Sequence, residues 1–265
     1  MKCDSATKHS PFQKKIFHKI ITLLVTFWII LCGFPAALQA QMFSVGDPGV
    51  RFNTPQTEFY AGIEPLDVNF QGGDDIAIAQ GAGAFSFEGP IIRLGYESRS
   101  FDIFLGSGGS ITGIESASYF DVGGNIDFGL SVYRSKLFSF TLPVRIASRY
   151  TNITSDRSFQ IPGVNRFRFG SLTGGAGVRV ASNPLTNFRF EAGAVPSYGF
   201  AFASGGFFGG SMGSVAGFGR LYFDRLFEDV GISLGYKYNL RNYEVDEDVY
   251  DYKMIGHSLE LGITF

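Results

Sequence analysis

From residue 252 to the last residue of the chain, apolar and polar side chains alternate with period two. Ile255, Leu259, Leu261, Ile263 and Phe265 fall in one phase, and Gly256, Ser258, Glu260, Gly262 and Thr264 in the other. Successive side chains of a strand point to opposite faces, so this segment predicts a strand with one face suited to hydrocarbon and the other to water. The alternation recurs upstream. Residues 231–241 set Ile232, Leu234, Tyr236, Tyr238 and Leu240 against Ser233, Lys237, Asn239 and Arg241, and residues 214–224 set Leu221 and Phe223 against Arg220 and Asp224. Residues 188–202 place Phe188, Phe190, Tyr198 and Phe200 opposite Arg189 and Glu191.

The two clearest segments come earlier. Phe120, Val122, Phe128 and Leu130 oppose Asp121, Asn125 and Asp127, and then Phe138, Phe140, Val144 and Ile146 oppose Ser139, Thr141, Arg145 and Arg149. Residues 90–97 and 101–112 predict two more strands, and residues 57–64 a further one of weaker pattern. Residues 166–180 are less regular. Their apolar positions change phase near Gly174 and Gly175, which predicts a β-bulge.

Ten strands result, joined alternately by short and long connections. The short ones, such as Ser98-Arg99-Ser100 and the residues around Ser135, fall on one side, and the long ones, at 65–84, 151–165, 203–213 and 242–251, on the other. If residues 57–64 are not a wall strand, residues 90–97 drop out with them and eight strands remain. Each segment has about the nine to eleven residues that a tilted spanning strand needs. An open sheet in lipid would leave edge N–H and C=O groups without partners, so the expected architecture is all-β, a closed antiparallel up-and-down transmembrane barrel. A soluble β-sandwich fits less well, because nearly every strand carries an aromatic-rich apolar face.

The terminal strand, ending on Leu259, Leu261, Ile263 and Phe265, resembles the closing strand of small bacterial outer-membrane β-barrel proteins, which end in Phe. The resemblance spans residues 57–265 and rests on patterns rather than fixed residues. It implies an outer-membrane location, both termini and the short turns in the periplasm, and the long connections facing outward. It further implies recognition of the terminal residues by the barrel-assembly machinery, surroundings of outer-membrane lipid and lipopolysaccharide, and a monomer.

The first forty residues read as a cleaved secretory signal peptide. Lys8, Lys14, Lys15 and Lys19 precede an uncharged run from Ile20 to Leu31, followed by Gly33, Pro35 and the small residues ending at Ala40. An uncleaved anchor helix is the competing reading, since residues 20–40 are uncharged and long enough to cross a bilayer. Residues 41–56 read as a short periplasmic lead. Cleavage after Ala40 would leave 225 of the 265 residues and remove Cys3, Cys32 and Trp28. Lys+Arg would fall from 22 to 17 and Asp+Glu from 24 to 23, a net charge of about −6. Without cysteine the mature chain has no disulfide, thiolate metal site or Cys nucleophile, and its charge lacks the basic footprint of nucleic-acid binding.

The polar phase of the strands would face the lumen. It carries Arg93, Glu97, Asp102, Asp127, Arg145, Arg149, Arg179, Arg189, Glu191, Arg220, Asp224, Lys237, Arg241 and Glu260. An eight- to ten-stranded barrel is filled by its own side chains, so these groups are expected to pair across it as a structural network. A narrow polar pore is the functional alternative. No cofactor and no metal site is expected.

The mature chain has one histidine, His257, next to Ser258 and near Glu260. Neighbouring residues of a strand face opposite ways, so His257 would face lipid while Ser258 and Glu260 face the lumen, and no catalytic hydrogen bond could join them. No catalytic residue is therefore assigned. The acidic run of Glu244, Asp246, Glu247, Asp248 and Asp251 reads as a solvated outer loop, with weak divalent-cation bridging to lipopolysaccharide as its functional alternative. The glycine-rich residues 204–213 lack the Lys-Ser/Thr of a phosphate loop and read as another outer loop, with Phe207 and Phe208 at its tip.

Overall fold

The computed structural model describes residues 57–71, 87–114, 117–155, 166–182, 187–203, 208–227, 229–245 and 251–265. Residues 1–56, read from sequence as a signal peptide and a periplasmic lead, lie outside them. Eleven strand segments run in chain order: β1 (Thr57–Phe70), β2 (Phe87–Ser98), β3 (Phe101–Gly108), β4 (Ala117–Arg134), β5 (Phe138–Ser155), β6 (Arg166–Ala176), β7 (Val178–Ser182), β8 (Phe188–Ala203), β9 (Phe208–Phe227), β10 (Val230–Val245) and β11 (Tyr252–Thr264). Each pairs antiparallel with its neighbours. The ring closes where β1 meets β11, from Glu58 opposite Thr264 to Phe70 opposite Tyr252.

β6 and β7 form one wall strand, so the barrel has ten staves. Both pair with β5 and with β8, and in each case the two halves keep a single register. No bulge lies at Gly174 and Gly175, contrary to the sequence expectation. The strand is interrupted only at Gly177, whose N–H still donates to the Pro143 carbonyl at 2.9 Å. Pro143 on β5 and Pro196 on β8 flank this point, and neither has an N–H to give back to the ladder. The register shifts that do occur lie near strand ends, at Ser131/Tyr133, Ala201/Phe202 and Val230/Ile232. The apolar phase changes along β6 because Phe169 points inward while Leu172 points outward.

Several strands outrun their predicted ends. β1 continues from 64 to Phe70, β5 reaches Ser155, β9 begins at Phe208 and β10 continues to Val245. Parts of four segments expected to be loops are therefore wall. The exception is β3, which stops at Gly108 and passes into a short 3-10 turn, Ser110–Thr112. Gly109 at φ 129° and Gly113 at φ 85° bracket that turn, in backbone conformations that only glycine adopts freely.

In the lower part of the wall, toward the chain terminus, the expected polarity holds. Phe59, Ile63, Leu234, Leu259 and Leu261 are exposed on the outer surface while Glu58, Glu64, Ser233 and Glu260 are buried within. In the extensions the polarity reverses. On β1, Leu66 and Val68 point inward, with Asp67 and Asn69 outward; on β10, Tyr243 and Val245 point inward, with Asn242 and Glu244 outward. β5 does the same, with Ile153 inward between Asn152 and Thr154. These side chains meet Phe87, Tyr119, Phe169, Met212 and Met254 in one buried apolar cluster inside the upper end of the barrel. The polar phase is thus not lumenal and apolar-free throughout, as the sequence pattern alone would have it. Where hydrocarbon surrounds the wall an apolar exterior is favoured; where water does, the apolar side chains are better buried inside.

Candidate functional site: the barrel lumen

Below the apolar cluster the lumen is polar, and each of its charged side chains arrives by strand alternation. On β4, Asp121 points inward between Phe120 and Val122, and it gathers three strands. The Arg149 Nε donates to its Oδ1 at 2.8 Å from β5, Arg93 of β2 approaches Oδ2 at 3.4 Å, and the Tyr119 hydroxyl donates at 3.0 Å. Arg93 also donates through Nε to Glu64 of β1 at 2.6 Å. Phe104 of β3 packs beside both arginines, with guanidinium carbons 4.7 and 4.8 Å from its ring centroid, and gives each charge a π partner.

A second group sits lower. Arg220 donates to Glu58 at 3.0 Å, Glu97 at 2.7 Å and Glu260 at 2.8 Å. Lys237 lies 3.2 Å from Glu260 and 3.8 Å from both Glu97 and Asp102, with its ammonium 4.2 Å from the Tyr60 ring centroid. Asp102 also accepts from the Tyr60 hydroxyl at 2.9 Å and from Asn125 at 3.3 Å. Across the lumen, Arg145 forks onto Asp127 at 2.7 and 2.6 Å, and Arg179 bridges Asp127 at 3.4 Å and Glu191 at 3.0 Å. Arg189 pairs with Asp224 at 2.8 Å and lies over the Tyr222 ring.

Of the fourteen lumenal charges assigned from sequence, all point inward and thirteen join these ion pairs. Arg241 does not: its Nη1 reaches only the Thr151 hydroxyl, at 3.5 Å, and no carboxylate among the described residues meets it. Sequence reasoning left out three acids, Glu58, Glu64 and Asp121, which supply essential partners. Glu58 and Glu64 lie on β1, the weakest pattern in the chain, whereas Asp121 stood in the polar phase of one of the clearest segments and was not counted among the lumenal charges.

The lumen holds a cavity of about 120 Å³. It extends from Ser98, at the terminus-bearing end, up to Arg241 beneath the apolar cluster. The Glu97 side chain in its wall is 25% exposed, whereas those of Glu64 and Asp121 are fully buried.

His257 and Ser258 face opposite sides of the wall. His257 is on the outer surface, its Nδ1 2.8 Å from the Tyr236 hydroxyl and its ring beside Tyr238, while Ser258 is buried and donates to Glu260 at 3.3 Å. Leu259, Leu261, Ile263 and Phe265 all lie on the outer surface. Among the described residues, no group of three or more His, Cys, Asp or Glu is placed to hold a metal ion. Of the acidic run, Glu244 accepts from Ser211 at 3.1 Å and Asp251 from the Val245 N–H at 3.2 Å; residues 246–248 lie outside the described residues, as does Phe207.

No known protein family matches the chain, and no curated protein sequence matches it. Solved structures of similar outline include the outer membrane protease OmpT from Escherichia coli, at 7% identity over 82% of this chain and 99% of that one, TM-score 0.43. The translocator domain of the autotransporter NalP from Neisseria meningitidis matches at 9% identity over 79% and 88%, TM-score 0.34. The attachment invasion locus protein Ail of Yersinia pestis matches at 12% identity over 80% and 99%, TM-score 0.23. These likenesses are distant, and the barrel stands on its own hydrogen-bonded ring.

Proposed function

We propose that the chain is an integral protein of the bacterial outer membrane, a non-enzymatic barrel that serves as a rigid scaffold and presents its upper-end connections for surface interactions. The observation that carries this reading is the lumen itself, cross-linked by ion pairs from all sides and roofed by a buried apolar cluster. The outer surface supports the location. On β11, eleven residues from Ile255 to Phe265 carry an exterior that is apolar but for His257, the length of a tilted membrane strand. Outer-membrane lipid and lipopolysaccharide are the surroundings that such a belt fits, with the barrel as a monomer. The assembly machinery is the partner that the terminal Phe265 addresses.

A narrow channel for small polar solutes is the second reading, and the charged cavity favours it. An enzyme acting on lipid has the least support, because His257 and Ser258 lie on opposite faces. Planar-bilayer recording of the purified protein tests the choice. A silent bilayer is the expected result, and steady unitary openings would replace the scaffold with the channel. Lipid A recovered unchanged from overexpressing cells is expected; altered acylation would bring the enzyme back.

A further inference from the structure

The lumenal arginines share a habit. Arg145 and Arg149 each turn the edge formed by Nε and Nη2 onto both oxygens of a single carboxylate, that of Asp127 and Asp121 respectively, and Arg93 turns the same edge onto Oε2 of Glu64. That edge presents two parallel N–H groups, which match the two oxygens of a carboxylate. Arg241 has the same edge, and there Nε and Nη2 have no partner in the protein, although the residue is only 1% exposed. Its guanidinium crosses from β10 to Thr151 of β5 and lines the top of the cavity. The hydroxyl of Ser171, on β6 opposite Arg149, is also buried without a hydrogen-bond partner and lines the same cavity.

Charge adds to geometry. Among the described residues, Arg93, Arg149 and Arg241 of the buried upper lumen face the carboxylates of Glu64 and Asp121, one positive charge in excess. An uncompensated buried guanidinium is costly, and an anion beside it removes that cost. Beside Met212 and Arg149, the cavity wall near Arg241 carries polar, uncharged side chains. Ser214 is its cross-strand neighbour on β9, Ser197 lies beyond on β8, and Asn239 precedes it by one inward position on β10.

We infer that the upper lumen is a binding site for a small carboxylate with a polar body, such as a short hydroxy acid. Its carboxylate is held by the Arg241 fork and the Ser171 hydroxyl. A cavity of about 120 Å³ restricts the ligand to a few heavy atoms beyond the carboxylate. The upper apolar cluster blocks continuation past Arg241, so the site is a dead end. It stands whether or not the barrel conducts, and bilayer recording tests that separately.

Calorimetric titration of the purified barrel with glycolate and acetate, against phosphate and chloride at constant ionic strength, tests the assignment. Saturable carboxylate binding is expected, tighter for glycolate than for acetate and tighter than for either inorganic anion. Arg241→Gln is expected to weaken it by roughly tenfold or more, and Arg241→Lys nearly as much, because an ammonium cannot present the fork. Ser171→Ala is expected to weaken it by a factor of a few while the barrel keeps its heat-modifiable gel mobility. If Arg241→Gln fails to fold, the Lys and Ala variants carry the test. Carboxylate binding no tighter than chloride in the wild type, unchanged binding in the folded variants, or tighter binding of phosphate overturns the inference.

Discussion

Arg220 of β9 donates to Glu260 of β11 at 2.8 Å, although β10 stands between their strands in the wall. The same guanidinium reaches Glu58 of β1 and Glu97 of β2, so one side chain ties together both sides of the seam where the barrel closes. Removing it would leave three buried or half-buried carboxylates with Lys237 as their remaining cation. Arg220→Ala should cost about 3–5 kcal/mol, the usual consequence of stripping one partner from a buried charge cluster. Urea unfolding of the refolded barrel in detergent checks this, with the exposed Arg134→Ala as a control expected to change little. A shift no larger than the control's would mean that Arg220 adds nothing to closure.

Ile63 and Leu66 are both aliphatic and three residues apart on β1, yet Ile63 is 59% exposed on the outer wall and Leu66 1% exposed in the upper cluster. Leu66→Ala should destabilise by about 2–5 kcal/mol, because it leaves a cavity among packed side chains. Ile63→Ala faces acyl chains that fill in around it, and a clearly smaller loss is expected. Equal losses in the same unfolding measurement would contradict the polarity reversal.

Gly177 sits where the backbones of neighbouring strands approach most closely around the two prolines. A Cβ there would lie 2.1 Å from the Ala194 carbonyl oxygen, whereas one on Gly219 would meet nothing within 4 Å. Gly177→Ala is therefore expected to lower refolding yield markedly and Gly219→Ala to leave it intact. The band of faster-migrating unboiled barrel on a gel gives the yield.

If the apolar cluster is the roof of the lumen, cutting it back should let ions through. The triple variant Phe169→Ala, Met212→Ala, Tyr243→Ala is expected to show unitary conductance in planar bilayers where the wild type is silent. Continued silence would assign the block to the ion-pair network below.

At the chain terminus, the Thr57 hydroxyl donates to the Phe265 carbonyl at 2.6 Å and the Phe265 ring stacks on Phe59 at 5.7 Å. Phe265 thus fastens the lower end of the seam as well as presenting a recognition residue. Deleting it should reduce the folded fraction in cells more than in detergent refolding. Comparable losses in both would make the role purely structural.

Much of this was legible in one dimension. The alternation of Leu259, Leu261 and Ile263 with Ser258, Glu260 and Gly262 depends only on the two-residue period of a strand, and so does the opposition of His257 to Ser258. Repeated along the chain, it predicted ten staves with eight as the alternative, their order and the inward direction of the charged side chains. Three things needed the tertiary structure. Leu66 and Tyr243 belong to the same hydrophobic class as Ile63 and Tyr236, and only the height of each residue in the barrel decides whether water or lipid lies outside it. The phase change along β6 looked like a bulge because a bulge and an inward-facing Phe169 write the same pattern. The partners of Arg220, and the lack of a carboxylate for Arg241 among the described residues, follow from how the closed sheet brings distant strands across a common lumen, and local periodicity holds no information about that distance.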